Sequence, residues 1–374
     1  MPDIFLYGTL RHLPLLEIVL GRLPAGAAPA RLAGHEVRWV AGQHYPMILP
    51  VPGTVAEGVL LRGLSGEDMA RLRFYEGGFA FDLREVTVQT GQGARPAQVF
   101  FPDDPAIAPG APWRLEDWVA RWGALSCHAA REVMDLRASL TAEEVATRFA
   151  MIRARAHSKV LAEAMTRPEA GTPGLSRAEV RQQAHRRPYV AHFAMEEADL
   201  SFRRFDGSMS PTVRRACLVA TDASIVLPYD PGRDRVMLLE QFRAGPWLRA
   251  DPRPWCLEPV AGRVDPGEGP EDTAHREALE EAGLTFSALH LASRSYPSPG
   301  CSSEFFHVYV GIADLPDSAA GHGGVAEEAE DIRLHLMSFD RMMELAEAQA
   351  LNVGPLMLAA YWLSHHRERL RATA

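Results

Sequence analysis

Along the first hundred residues the apolar positions come in short runs, such as Ile4-Phe5-Leu6-Tyr7 and Gln98-Val99-Phe100-Phe101, set among glycines and prolines. Runs of this length bounded by turn residues predict strands, so residues 3–110 read as a small domain rich in β structure. From Leu115 to about Met165 the spacing changes. Trp118, Trp122 and Leu125 recur every three or four residues, and Thr141-Ala142-Glu143-Glu144 has the form of a helix start. The stretch from Arg167 to Ser176, with two prolines and two glycines in ten residues, ends that pattern and marks the linker. Strand signals return at Ala216–Ala220, Ser224–Leu227 and Val236–Leu239, and Ile332-Arg333-Leu334-His335-Leu336 alternates. Pro270–Ala282 predicts a helix, and a second runs from about Val353 to Leu370. The expected division is a domain at 1–115, a helical connector and linker at 116–186, and a second domain at 187–374. There is no internal repeat or low-complexity tract.

Composition changes this picture little. At 374 residues the chain is long enough for two or three domains, and 47% hydrophobic with 23% charged residues is ordinary for a globular protein. No apolar run approaches the roughly 18 residues of a membrane helix, and Met1-Pro2-Asp3-Ile4 does not open a basic-then-apolar leader, which predicts a cytoplasmic protein with no membrane partner. Cys127, Cys217, Cys256 and Cys301 lie far apart with no C-x-x-C pair, so reduced thiols are expected. Basic and acidic residues number 10 and 11 over 1–115, 11 and 9 over 116–186, and 18 and 28 over 187–374, summing to the net charge of -9. An acidic second domain repels polyphosphate backbones and argues against nucleic acid, while small anions can still bind through a metal.

The segment of greatest chemical interest runs from Gly262 through Asp265-Pro266-Gly267-Glu268 to Arg276-Glu277-Ala278-Leu279-Glu280-Glu281-Ala282-Gly283-Leu284. A glycine- and proline-containing loop leads into a helix with Pro270 in its first turn and Gly283 as its C-terminal cap. Glu277, Glu280 and Glu281 fall at i, i+3 and i+4, where like charges destabilise a bare helix by a few tenths of a kcal/mol per pair. Taken alone, such a trio is most often a solvated acidic face. The alternative is a hard divalent cation, since Mg²⁺ prefers oxygen ligands and commonly bridges carboxylates and substrate phosphates.

The string fits G-x5-E-x7-R-E-U-x-E-E-x-G-U, the Nudix box, at Gly262, Glu268, Arg276, Glu277, Glu280, Glu281 and Gly283. The second domain therefore resembles the Nudix hydrolases, and within them the ADP-ribose pyrophosphatases. Leu239-Glu240-Gln241-Phe242-Arg243, Pro254-Trp255-Cys256-Leu257-Glu258, Ser298-Pro299-Gly300-Cys301-Ser302-Ser303-Glu304 and Glu327-Glu328-Ala329-Glu330-Asp331 match phrases of that group. Pro299 stands 16 residues after Gly283, the position that marks ADP-ribose hydrolases, while Cys301 replaces a more usual glycine.

The resemblance implies an α/β/α sandwich, dependence on Mg²⁺ or Mn²⁺, and hydrolysis of ADP-ribose to AMP and ribose 5-phosphate. It implies that Glu277 and Glu281 hold metal with Glu280, the Ala261 carbonyl and Glu330, and that Glu328 is the catalytic base, with Glu280 and Glu281 sharing in catalysis. Arg215 and Arg243 would contact substrate, Glu304 the terminal ribose or phosphate side, and Phe193 the adenine. It further implies a homodimer in which residues 187–215 are exchanged, placing Arg215 across the interface. Two rival readings remain at this point: a Nudix hydrolase for another nucleoside diphosphate sugar, such as a GDP-hexose, and a sensor that binds ADP-ribose without cleaving it.

In the first domain, Tyr7-Gly8-Thr9-Leu10 follows an apolar strand and is joined by Tyr45-Pro46, Ala56-Glu57-Gly58-Val59 and Phe74-Tyr75-Glu76-Gly77-Gly78, then Phe81, Arg84, Val86 and Val88. Together they resemble the γ-glutamylcyclotransferase-like, or AIG2-like, family. That resemblance implies a small β-barrel-like fold in which Tyr7, Gly8, Thr9 and Leu10 floor a cavity for a γ-glutamyl amine and Glu76 is the acid/base. Phe81 stands where tyrosine is common. The expected class is thus α+β with two domains joined by helices. The pairing resembles Nudix proteins associated with tellurite resistance in bacteria.

Overall fold

A computed structural model describes residues 3–77, 81–103, 106–166, 174–324 and 330–372. They form two compact units, Met1–Arg167 and Pro168–Ala374.

The first unit contains β1 (Ile4–Leu6), β2 (Ala27–Val40), β3 (Pro46–Leu61), β4 (Phe81–Thr90), β5 (Gly93–Pro102) and β6 (Pro109–Pro112). The order is β3-β1-β5-β4-β2-β6, and β2 also pairs with β3, which closes five strands into a barrel and leaves only β6 outside the ring. Closure removes the free edges that an open sheet of this size would expose. Phe5, Ile48, Leu60, Val88 and Val99 fill the barrel.

The helices of this unit are α1 (Leu13–Leu20), α2 (Gly66–Glu76), α3 (Leu115–Trp118), α4 (Ala124–Leu136), α5 (Ala142–Ala146) and α6 (Phe149–Ala164), with a π turn at Val119–Gly123 between α3 and α4. Ser65 caps α2 by accepting from the Asp68 N–H at 3.1 Å, while the Asp68 carboxylate accepts from the Ser65 N–H at 2.8 Å. That cap fixes the register of the helix whose last residue is Glu76. The helices expected as a connector belong to this first unit: Trp118 is buried and its Nε1 donates to the His44 carbonyl at 2.9 Å. Between α4 and α6 the Arg155 Nη2 donates to Glu132 Oε1 at 2.5 Å, with both side chains almost wholly buried.

The second unit begins with an antiparallel sheet of β7 (Val180–Val190), β8 (Ala194–Phe202) and β9 (Val213–Val219). The start of β7 thus lies in residues expected to be linker. Next come β10 (Asp222–Asp230), β11 (Arg235–Phe242), α7 (Ala244–Leu248), β12 (Trp255–Glu258), β13 (Val260–Arg263), α8 (Pro270–Ala282), β14 (Ala288–Ser295) and β15 (Phe305–Ile312). The chain continues through β16 (Gly321–Gly323), β17 (Ile332–Ser338), α9 (Phe339–Glu347) and α10 (Gly354–Ala372). The larger sheet runs β14-β15-β10-β11-β17-β16, with β12 on β11 and β13 on β10, and β10 lies parallel to β15.

Both faces of this sheet are covered. Leu227, Leu238 and Val310 pack with Met342, Leu356 and Leu363 of α9 and α10, whereas Val226, Met237 and Tyr309 pack with Ala274 and Ala278 of α8. Adjacent residues of one strand enter opposite cores, which is why these strands read as unbroken apolar runs. The result is the α/β/α sandwich expected from the sequence.

The Glu132–Arg155 pair carries a testable energy. Glu132→Ala removes the carboxylate that faces a buried guanidinium and is expected to cost about 3–5 kcal/mol in urea unfolding followed by a first-unit tryptophan. Glu344→Ala, which breaks the exposed Arg341–Glu344 pair, leaves the unfolding midpoint unchanged.

Candidate functional site

In the second unit the site is built where the β13 strand meets α8. Pro270 begins the helix and Gly283, at φ 62°, ends it in the left-handed region that favours glycine. Arg276 is the hub. Its Nε donates to Glu268 Oε1 at 3.0 Å, its Nη1 to Glu277 at 2.7 Å and Glu280 at 2.9 Å, and its Nη2 to the Arg263 carbonyl at 3.2 Å. Thr273 adds a 2.9 Å bond to Glu268, and although burial opposes ionisation, these donors hold the Glu268 carboxyl below its ordinary range. The loop and the helix are therefore tied together through one guanidinium.

Arg276 takes up two of the three helix carboxylates. The third, Glu281, turns inward, is 2% exposed, and accepts a 3.1 Å bond from the Ala261 N–H. Burial first, and then the charges of Glu277 and Glu330, push its carboxyl up to about 8, against the pull of Arg243. Burial also raises Glu277, where Arg276 opposes the shift and the charges of Glu280 and Glu330 add to it. Close approach of Glu277 to the β13 backbone depends on Gly262: a Cβ there would lie 1.9 Å from the Glu277 carboxyl.

Glu277, Glu281, Glu330 and Arg243 thus form one electrostatic neighbourhood. Arg243 is clamped by Glu258, with Nε 2.9 Å and Nη2 2.7 Å from Glu258 Oε2. Among the described residues no three His, Cys, Asp or Glu side chains are already gathered as a metal cage. The donor set nevertheless suits a hard divalent cation, because buried carboxylates that raise one another's proton affinity are relieved by such a charge.

Other expected residues are placed differently. Pro299 and Glu304 bracket a loop docked on β9, where the Leu218 N–H donates to the Cys301 carbonyl at 2.8 Å and the Ser303 N–H to the Leu218 carbonyl at 2.9 Å. Burial raises the Glu304 carboxyl. Cys301 is exposed, with its sulfur 3.1 Å from Ser298 Oγ. Arg215 lies exposed on β9, its Nη1 donating to the Arg214 carbonyl at 3.1 Å, and Phe193 lies exposed beside His192. Among the described residues no hydrogen bond or ion pair joins either to the carboxylates. Glu328 lies outside the described residues. The Glu258 clamp was not anticipated, because a glutamate at the end of a strand gives no signal of its arginine partner.

In the first unit a cavity of about 100 Å³ is lined by Tyr7, Gly8, Thr9, Leu10 and Glu76, so the expected loop and acid do meet. Glu76 keeps some surface toward the cavity yet lies deep among surrounding atoms, and that burial raises its carboxyl to about 7. Burial and the Glu76 charge together raise the Tyr7 phenol. Tyr75, His44, Ser126, Phe149 and Arg153 also line the cavity and were not foreseen, since neither helical spacing nor a turn carries a mark of what its side chains face. Burial, with the nearby Arg153 and Arg121, lowers His44 to about 4, so its ring is neutral at pH 7.

A loop and glutamate helix on an α/β/α sandwich define a Nudix hydrolase domain. Residues 220–356 match the family model for the NUDIX domain, and residues 4–120 match that for gamma-glutamyl cyclotransferase, AIG2-like. The ADP-ribose pyrophosphatase of Escherichia coli K12 is 37% identical over 183 residues, covering 49% of this chain and 87% of that protein. That of Haemophilus influenzae is 33% identical over 185 residues, 49% and 85% of the two chains. A GDP-mannose pyrophosphatase of Cronobacter sakazakii is 29% identical over 153 residues, 41% and 78%. A crystal structure of an ADP compounds hydrolase overlaps at a TM-score of 0.41 and 20% identity, over 54% of this chain and 99% of that one. The chain belongs to the Nudix hydrolases and carries an AIG2-like domain ahead of the Nudix domain.

Two outcomes follow from the geometry. Gly262→Ala is expected to displace the Glu277 carboxyl and lower kcat/KM on a pyrophosphate-linked nucleotide by about 10²-fold; unchanged turnover in a folded variant would show that Glu277 is not needed there. For Glu76 the folded carboxyl, at about 7, binds its proton more tightly than the ordinary 4.5 of the unfolded chain. The native state then holds more protons than the unfolded state between these values, so stability falls as pH rises from about 4.5 through 7. Glu76→Gln removes that fall, and carboxyl NMR of the wild type shows a titration near 7.

Proposed function

We propose that the second unit hydrolyses the pyrophosphate bond of ADP-ribose, giving AMP and ribose 5-phosphate with Mg²⁺, or Mn²⁺ in its place. The observation that carries this reading is the buried Glu281, set beside Glu277, Glu330 and Arg243 on a complete Nudix box. The substrate is taken from the relatives named ADP-ribose pyrophosphatase at 33–37% identity.

Glu277, Glu281 and Glu330, with the Ala261 carbonyl and Glu280, would hold the cation. When bound, Mg²⁺ supplies charge neutralisation of the pyrophosphate and a more acidic water. Arg276 orients Glu277 and Glu280, and the Ala261 N–H orients Glu281. Glu258 occupies Nε and Nη2 of Arg243, which would leave Nη1 for a substrate oxygen. Glu328 would accept the proton of the attacking water, Glu304 would meet the terminal ribose side, and Pro299 would shape the loop beneath it. Arg215, exposed on β9, and Phe193, exposed in the turn between β7 and β8, would serve a partner's site in a cytoplasmic homodimer, with Phe193 against adenine.

In the first unit the reading is a γ-glutamylamine cyclotransferase. The free amine of the substrate attacks its own γ-carbonyl, the bond to the leaving amine breaks, and a five-membered 5-oxoproline ring closes. Glu76 takes the proton from the attacking nitrogen and returns it to the leaving amine. Backbone N–H groups near Gly8 and Thr9 would hold the developing oxyanion.

Purified full-length protein with Mg²⁺ is expected to convert ADP-ribose to AMP and ribose 5-phosphate faster than GDP-mannose. Glu281→Gln should lower the rate by about 10²-fold or more, and Glu328→Gln should do likewise. GDP-mannose as the better substrate would move the enzyme to the other named group of relatives, and binding of ADP-ribose without turnover would make the domain a sensor.

A further inference from the structure

The cavity beside Glu76 is completed by residues beyond the segment that matches the cyclotransferase family. That match ends at residue 120, yet Ser126 of α4 and Phe149 and Arg153 of α6 form part of the wall. Most of the remaining lining is apolar or aromatic, including Phe5, Leu6, Leu10 and Phe100. Arg153 is the one arginine or lysine among the described residues that line it.

Two neighbours on α6 show what is unusual about this arginine. Arg155 is fully buried and has its carboxylate, Glu132. Arg153 has none: its Nη2 is buried without a hydrogen-bond partner, and no carboxylate among the described residues pairs with it. Its guanidinium stands 5.3 Å from the centre of the Trp122 ring, a contact that orients the cation without neutralising it. Burial weakens its hold on the proton, as expected for a cation removed from water with no counter-charge. His44, neutral and set beside it, supplies no negative charge. Glu76 lines the same cavity without forming an ion pair to it. A buried, unpaired donor of this kind carries an unrecovered desolvation cost, which an anion entering the cavity would offset.

We propose that the cavity takes a compact carboxylate-bearing molecule and that Arg153, contributed by the helical layer beyond the matched family segment, pairs with that carboxylate. A planar fork fits a carboxylate in two parallel bonds, and a cavity of about 100 Å³ favours a small ligand. The helices are then part of the ligand site and set its preference. The choice of probe rests on the cyclotransferase reading.

The test uses 5-oxoproline and its neutral amide, which share a ring and differ in charge, titrated into the full chain by ligand-observed NMR. The wild type is expected to bind the acid about tenfold or more tightly than the amide. Arg153→Met should abolish that preference, and Arg153→Lys should keep part of it. Equal binding of acid and amide by the wild type, binding of neither, or a preference that survives in folded Arg153→Met overturns the proposal. If Arg153→Met does not fold, the wild-type comparison and Arg153→Lys still decide it.

Conversion of γ-glutamylmethylamide to 5-oxoproline and methylamine, and its loss in Glu76→Gln, is measured in parallel. An Arg153-dependent preference without turnover keeps the proposal and removes the cyclotransferase reading. Turnover without that preference does the reverse.

Discussion

The second unit depends on what one guanidinium does at the junction of a loop and a helix. Three glutamates at i, i+3 and i+4 repel one another, and Arg276 takes two of them together with Glu268 and the Arg263 carbonyl. The loop from Gly262 to Glu268 is thereby held against α8, and the face that carries charge is ordered before any ligand arrives. Glu281 is left out of this arrangement and turned into the interior, where the Ala261 N–H donates to it. Its charge is unfavourable there until a cation is supplied. Arg276 thus orders Glu277 and Glu280, while Glu281 is positioned by the backbone alone.

The first unit shows the same physics with the partner changed. Glu76 is raised by burial alone, with no neighbouring acid required, and it ends a helix whose register is fixed by the Ser65–Asp68 cap. Both sites place a carboxylate where water is scarce. In one, a cluster of like charges points to a cation; in the other, a lone acid and an arginine with no carboxylate partner share an aromatic cavity and point to a small organic molecule.

Legibility from sequence followed burial. α8 was read at its observed bounds because proline and glycine punctuate it, and β10 and β11 were read because strands covered on both faces are continuous apolar runs. β7 and β8 escaped notice because their residues are mostly half-exposed and polar, without a clean alternation. β2 and β3, 14 and 16 residues long, were obscured by Pro29, Gly34, Pro50, Pro52 and Gly53. The box residues were legible because their spacing is fixed by backbone contacts such as Gly262 under Glu277. Glu258, the partner of Arg243, and Arg153, on the cavity wall, were not, since tertiary placement leaves no local mark. The role of Arg276 in orienting Glu277 and Glu280 also left no mark, since a single arginine in a helix gives no sign of how many carboxylates it gathers.

The central claim is that Glu281 is held in a site that exchanges its proton for a divalent cation. The most direct measurement is calorimetric titration of Mn²⁺ into the metal-free full chain at pH 7 in buffers of different ionisation enthalpy, beside Glu281→Gln. The account predicts binding coupled to release of close to one proton in the wild type, with both binding and release much reduced in the variant. Binding with no proton release, or equal binding by Glu281→Gln, would contradict it.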